Sequence, residues 1–66
     1  MSKLSFKTFC IEMYAEYKQI PSNEVYKIFE ENDVLAMLDE SYELLGGHSA
    51  DYVVREIDRY LGGDGV

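Results

Sequence analysis

Apolar residues at Phe6, Phe9, Cys10, Met13, Tyr17 and Ile20 recur at spacings of three and four, which predicts an amphipathic helix over about residues 4–19 with those side chains inward. Pro21 blocks its continuation, and Ser22 is suited to cap a second helix, with Glu24 near the positive end of the dipole. Val25, Ile28 and Phe29 form the inner face of that helix. Asn32 and Asp33 are both capping residues, so they can end the second helix and begin a third within a very short link. Val34, Leu35, Leu38, Tyr42 and Leu45 continue the helical period until Gly46-Gly47, where glycine takes the left-handed terminal conformation without a side-chain penalty. Ser49 is placed to cap a fourth helix that buries Val53 or Val54, Ile57, Tyr60 and Leu61, with Asp51 and Arg55 four apart in the acid-first order. Gly62-Gly63 closes it. The pattern predicts an all-α fold, a small bundle of about four short helices: one domain over residues 1–61 and a frayed tail over 62–66. No β-hairpin signal, internal repeat or low-complexity segment interrupts it.

Size sharpens this picture. A chain of 66 residues buries only about 60% of the surface its unfolded form exposes, yet 47% of its residues are hydrophobic, including six Tyr and three Phe. That composition requires a core and argues against disorder. Cys10 is the only cysteine, which excludes an internal disulfide, and a single histidine leaves no Cys/His set for structural zinc. Self-association is the remaining way to reinforce so small a core, so a homodimer is one expectation. Residues 1–7 lack the apolar stretch of a signal peptide, and the run from Val34 to Leu38 is too short to cross a bilayer. The expected setting is the reduced cytosol, with no membrane partner.

Charge changes the picture most. Thirteen acidic residues face six basic ones, for a net charge of −7. Such a field repels phosphate backbones and anionic lipids and favours encounter with basic protein surfaces. No nucleic-acid partner is expected. The second and third helices could be read as a helix-turn-helix, but the reading helix would be acidic, where phosphate contacts need Lys or Arg. The acidity is also segregated: no Lys or Arg occurs from residue 28 through 54, while Glu30, Glu31, Asp33, Asp39, Glu40 and Glu43 do. On a helix, Asp39 and Glu40 each stand within one turn of Glu43, a like-charge arrangement costing about 0.2–0.5 kcal/mol per pair. A face serving only solubility would do better with lysines mixed in. These six acids, with Tyr42 beside them, are the candidate docking residues for another protein with a basic surface; the bland alternative is a solvated face.

Other chemistry is sparse. Asp33 to Glu43 is filled with Val, Leu, Ala and Met, without the mid-loop glycine and alternating oxygens of a calcium loop. Asp39-Glu40-Ser41-Tyr42 lacks the Asp-Ser-Leu order of a phosphopantetheine acceptor and falls inside a predicted helix. His48 lies in a Gly-Gly-His-Ser turn with no nucleophile or orienting group to work with, and Cys10 reads as a small buried hydrophobe. Six tyrosines cannot all satisfy their hydroxyls in so small a core, so some must reach the surface. No catalytic set, cofactor or metal site is expected.

The strings Phe9-Cys10-Ile11-Glu12-Met13-Tyr14, Ser22-Asn23-Glu24-Val25-Tyr26-Lys27-Ile28-Phe29 and Tyr52 through Leu61 resemble a family of short bacterial proteins, the domain of unknown function family 3791. The resemblance runs from about Leu4 to Leu61 and rests mainly on core aromatic and aliphatic residues. Members often carry a histidine directly after the leucine matching Leu45; here Gly46 stands there and the histidine is His48. Genes of the family tend to neighbour genes for a predicted ADP-ribosyltransferase-like protein, as an antitoxin neighbours its toxin. The resemblance implies a small acidic neutralising partner. Together with the charge pattern, the expectation is a non-enzymatic binding module that occludes a basic site, the alternative being a structural homodimer or assembly subunit.

Overall fold

The computed structural model describes residues 2–62. These form five helices: α1 (Lys3–Lys18), α2 (Ser22–Glu31), α3 (Val34–Glu40), α4 (Tyr42–Leu45) and α5 (Ala50–Tyr60). No strand occurs among the described residues. The small all-α bundle read from the periodicity is present, and the tail expected to fray lies, beyond Gly62, outside the described residues.

α1 begins where the Ser2 hydroxyl accepts the Ser5 N–H at 3.1 Å, which satisfies one of the donors left open at a helix start. It ends at Gln19, whose backbone is left-handed (φ 59°) while its side-chain amide donates to the Glu16 carbonyl at 2.7 Å. A side-chain bond here replaces the glycine that usually holds this position. Pro21 then turns the chain. Pro21 itself occupies the cap position of α2 and Ser22 is its first residue, with no side-chain cap bond, so Ser22 is not the cap that its type predicted. Proline suits the site because its fixed φ matches the turn and it has no N–H to leave open.

The link from α2 to α3 is the predicted two residues, Asn32 and Asp33, but they work differently. The Asn32 amide donates back to the Ile28 carbonyl at 2.8 Å, and Asp33 makes the turn through a left-handed backbone (φ 59°) without capping α3. Asp tolerates that conformation better than most residues. The predicted third helix is two: at Ser41 the backbone (φ −100°, ψ 10°) leaves the helical range, separating α3 from α4. The Ser41 N–H donates to the Met37 carbonyl (2.9 Å) and the Leu45 N–H to the Ser41 carbonyl (2.8 Å), so hydrogen bonding continues through the break. Ser41 therefore sits at a break, not inside a helix.

α4 does not end in a left-handed glycine. Gly46 is right-handed (φ −63°), and the position needs glycine because a Cβ there would meet the Tyr42 carbonyl oxygen at 2.8 Å. Ser49 caps α5 as expected, accepting the Tyr52 N–H at 3.3 Å, and the predicted Asp51–Arg55 pair is formed at 3.5 Å. Gly62 supplies the left-handed residue (φ 75°) after α5.

α1 is the hub, packing on α2, α3 and α5. Its buried face is Phe6, Cys10, Tyr14 and Ala15, so the stripe is rotated from the predicted one: Phe9 and Tyr17 are exposed, and Tyr14 goes inward. Phe29, Leu38, Ile57, Val25 and Val34 fill the centre, and both Val53 and Val54 are buried. Tyr60, predicted inward, is half exposed because the inner face of α5 is completed by Asp58. The Tyr14 hydroxyl donates to Asp58 Oδ1 at 2.7 Å, and Lys18 Nζ stands 3.4 Å from the same oxygen.

Candidate functional site

The acidic residues singled out from the sequence fall on the end of α2, the turn after it, α3 and α4. Glu30 and Glu31 are exposed in the last turn of α2, which carries no basic residue. Carboxylates at the negative end of a helix dipole are unfavourable, each by about 0.3–1 kcal/mol when exposed. Asp33 is exposed in the turn, Glu40 is exposed at the end of α3, and Glu43 is exposed on α4.

Asp39 stands apart from the others, because Lys7 on α1 reaches it at 3.1 Å. That lysine compensates locally for the segment's missing cations. Tyr42 is half-buried, its ring edge-on to Phe6 with centroids 5.4 Å apart. Its apolar body is tied to α1, beside a surface hollow of about 320 Å³ lined by Phe6, Tyr42, Glu43 and Gly46.

The cations explain why the remaining acids stay open. Of the six Lys and Arg residues, Lys7, Lys18, Arg55 and Arg59 are engaged with Asp39, Asp58, Asp51 and Glu56 respectively. Lys3 and Lys27 remain. Lys27 precedes Glu30 and Glu31 by three and four residues, the weaker orientation for a helical pair, and no ion pair forms among these described residues. Glu30, Glu31, Asp33, Glu40 and Glu43 are thus exposed acids that no ion pair within the described residues neutralises.

A second feature was not visible in the sequence. Between α3–α4 and α5 lies an open groove of about 500 Å³, lined by Met37, Ser41, Leu44, Leu45, His48, Tyr52, Glu56, Arg59 and Tyr60. His48 stacks on Tyr52 with ring centroids 4.1 Å apart and planes 20° from parallel. Leu44 is 75% exposed and Tyr60 50% exposed, so two apolar side chains of the groove wall are open to solvent together. The one signal in the sequence was Leu44 itself, an apolar residue outside the predicted inner face.

As for chemistry, Cys10 is fully buried and its thiol is pushed up to about 12 by that burial, which removes the thiolate a nucleophile or metal ligand needs. Burial, and after it the bond to Asp58, hold the Tyr14 phenol above the usual range for tyrosine. Among the described residues no three His, Cys, Asp or Glu side chains are grouped to hold a metal ion, and no helix is long and apolar enough to cross a membrane. The arrangement offers surfaces for contact, one charged and one apolar.

Neither the curated proteins nor the solved structures yielded a match to this chain. A family model does match, over residues 5–62, nearly the whole span of the helices. The chain therefore belongs to the family described as protein of unknown function, DUF3791.

Proposed function

We propose that this protein is a small protein-binding module, not an enzyme, and that its acidic face docks on a basic surface of a partner protein. The observation that carries the reading is the placement of Glu30 and Glu31, exposed in the last turn of α2 with no basic residue there. That turn would be more stable with lysine in either position. Acids kept where they cost stability are accounted for by a partner that supplies the missing cations. Asp33, Glu40 and Glu43 are further exposed acids without ion pairs, and Tyr42, between the last two along the chain, would serve as a large contact residue of low conformational entropy. Charge of this kind steers a basic partner into register and rejects phosphate-rich ligands.

In its sharper form, the partner is a toxin-like protein whose basic site is occluded by the acidic face, the antitoxin-like role implied by the family resemblance, acting in the cytosol. Self-association as a structural homodimer is less well supported, because a second copy brings another −7 of charge. A native pull-down tests the proposal. The wild-type chain should retain a protein partner that the Glu40→Lys/Glu43→Lys variant loses; recovery of no partner, or equal recovery by both chains, would count against it.

A further inference from the structure

The groove between α3–α4 and α5 has a shape and a lining that the acidic face does not explain. Along α5 its wall runs from Tyr52 through Glu56 to Tyr60, a length of about 12 Å at the helical rise. That length matches two turns of a docked helix, whose anchor side chains fall at i, i+3 or i+4, and i+7. Tyrosine and arginine are the residue types that most often dominate binding energy at protein interfaces, and Tyr52, Arg59 and Tyr60 share this groove with the exposed Leu44.

Charge selects the occupant. Arg59, the one Lys or Arg among the residues lining the groove, is paired with Glu56 at 3.1 Å, so the groove's own lining presents no net positive charge to an acidic ligand. Glu40 stands three residues after Met37 on α3, so it neighbours Met37 at the groove's edge, and it carries no ion pair among the described residues. A second copy of the chain would bring like charge to this margin.

We propose that the groove receives one face of a basic amphipathic helix, its apolar stripe against Leu44, Tyr52 and Tyr60 and its lysines or arginines toward Glu40. The sign of the partner's charge rests on the docking reading above; its helical form rests on the groove alone.

The test uses three synthetic peptides of about 18 residues: one with a leucine stripe and lysines elsewhere, a scrambled isomer without the stripe, and a striped version with glutamate for lysine. The striped lysine peptide is expected to move the amide NMR signals of Leu44, His48, Tyr52 and Tyr60. It should bind at least about tenfold more tightly than either of the other two. Leu44→Ser and Tyr60→Ser, both at exposed positions, should each weaken it by a similar factor and leave the scrambled peptide unaffected. Equal binding of the two lysine peptides, with shifts confined to Glu30 and Glu31, would overturn the groove proposal and leave the acidic docking face standing. Binding of neither lysine peptide would count against both. Concentration-dependent dimerisation that moves the groove signals without any peptide would make a second copy the occupant and overturn the proposal.

Discussion

The Tyr14 hydroxyl donates to the Asp58 carboxylate across 2.7 Å and ties the later turns of α1 to the end of α5. These residues are 44 positions apart in the chain, and both are buried. Lys18, one turn beyond Tyr14, meets the same oxygen at 3.4 Å from a more exposed position. In a core this small, one satisfied polar cluster fixes which faces of the first and last helices meet.

Tyr14→Phe is expected to destabilise the fold by about 1–3 kcal/mol, because it leaves a buried carboxylate short of a donor while keeping the ring contact with Phe29. Urea unfolding measures this, and Asp58→Ala should act in the same direction. The double variant should cost less than the sum of the two, since the singles break one shared bond.

Cys10 gives the pH prediction. Its thiol is raised from 9.0 to about 12 in the fold by burial, so the native state holds the proton more tightly than the unfolded chain does. Stability from this group is complete below pH 9 and declines as the pH rises from there toward 12. Unfolding curves of the wild type and Cys10→Ala should therefore differ less at pH 10.5 than at pH 7, values about midway in and well below that window. Labelling of the thiol in the native state should be slow at neutral pH and limited by opening of the fold.

How much of this was legible in the chain varies by element. Helix limits set by Pro21, Asn32-Asp33, Ser49 and Gly62 were readable because each follows from local backbone chemistry. The orientation of α1 was readable only in part. Phe6 and Cys10 are buried and Met13 and Ile20 pack on the core as read, but Phe9 and Tyr17 fit the same spacing as Tyr14, and where the other helices land puts Tyr14 inward instead. Asp58 was missed because an acid four residues after Val54 reads as polar surface until its partner Tyr14 is known. The acidic segment was visible as composition, but the engagement of Asp39 by Lys7 needed the fold, since 32 residues separate them. The groove needed it too, being made by two segments that sequence spacing does not relate.

Gly46 and Gly47 should respond oppositely to alanine. A Cβ at Gly46 meets the Tyr42 carbonyl oxygen at 2.8 Å, a backbone atom that cannot swing away, so Gly46→Ala is expected to cost about 1–3 kcal/mol. At Gly47 nothing lies within 4 Å and φ is not left-handed, so Gly47→Ala should be neutral or stabilising by about 0.4–1 kcal/mol through the unfolded chain. Thermal unfolding of the two variants separates these outcomes.

Glu30→Lys/Glu31→Lys sets stability against function. Removing two acids from the negative end of α2 and placing cations there should stabilise the fold, by about 0.3–1 kcal/mol for each favourable end charge. The same change should weaken binding to the partner. A variant that is more stable and less able to bind would identify these residues as kept for contact.

The most direct test of the docking claim is calorimetric titration of the protein recovered with the wild-type chain, repeated across a range of salt concentrations and with Glu30, Glu31, Glu40 and Glu43 all changed to lysine. The expected result is wild-type affinity that weakens steeply with salt and is lost in the reversed chain, whose circular dichroism remains helical. Salt-independent binding, or equal affinity of a folded reversed chain, would contradict the acidic face as the docking surface.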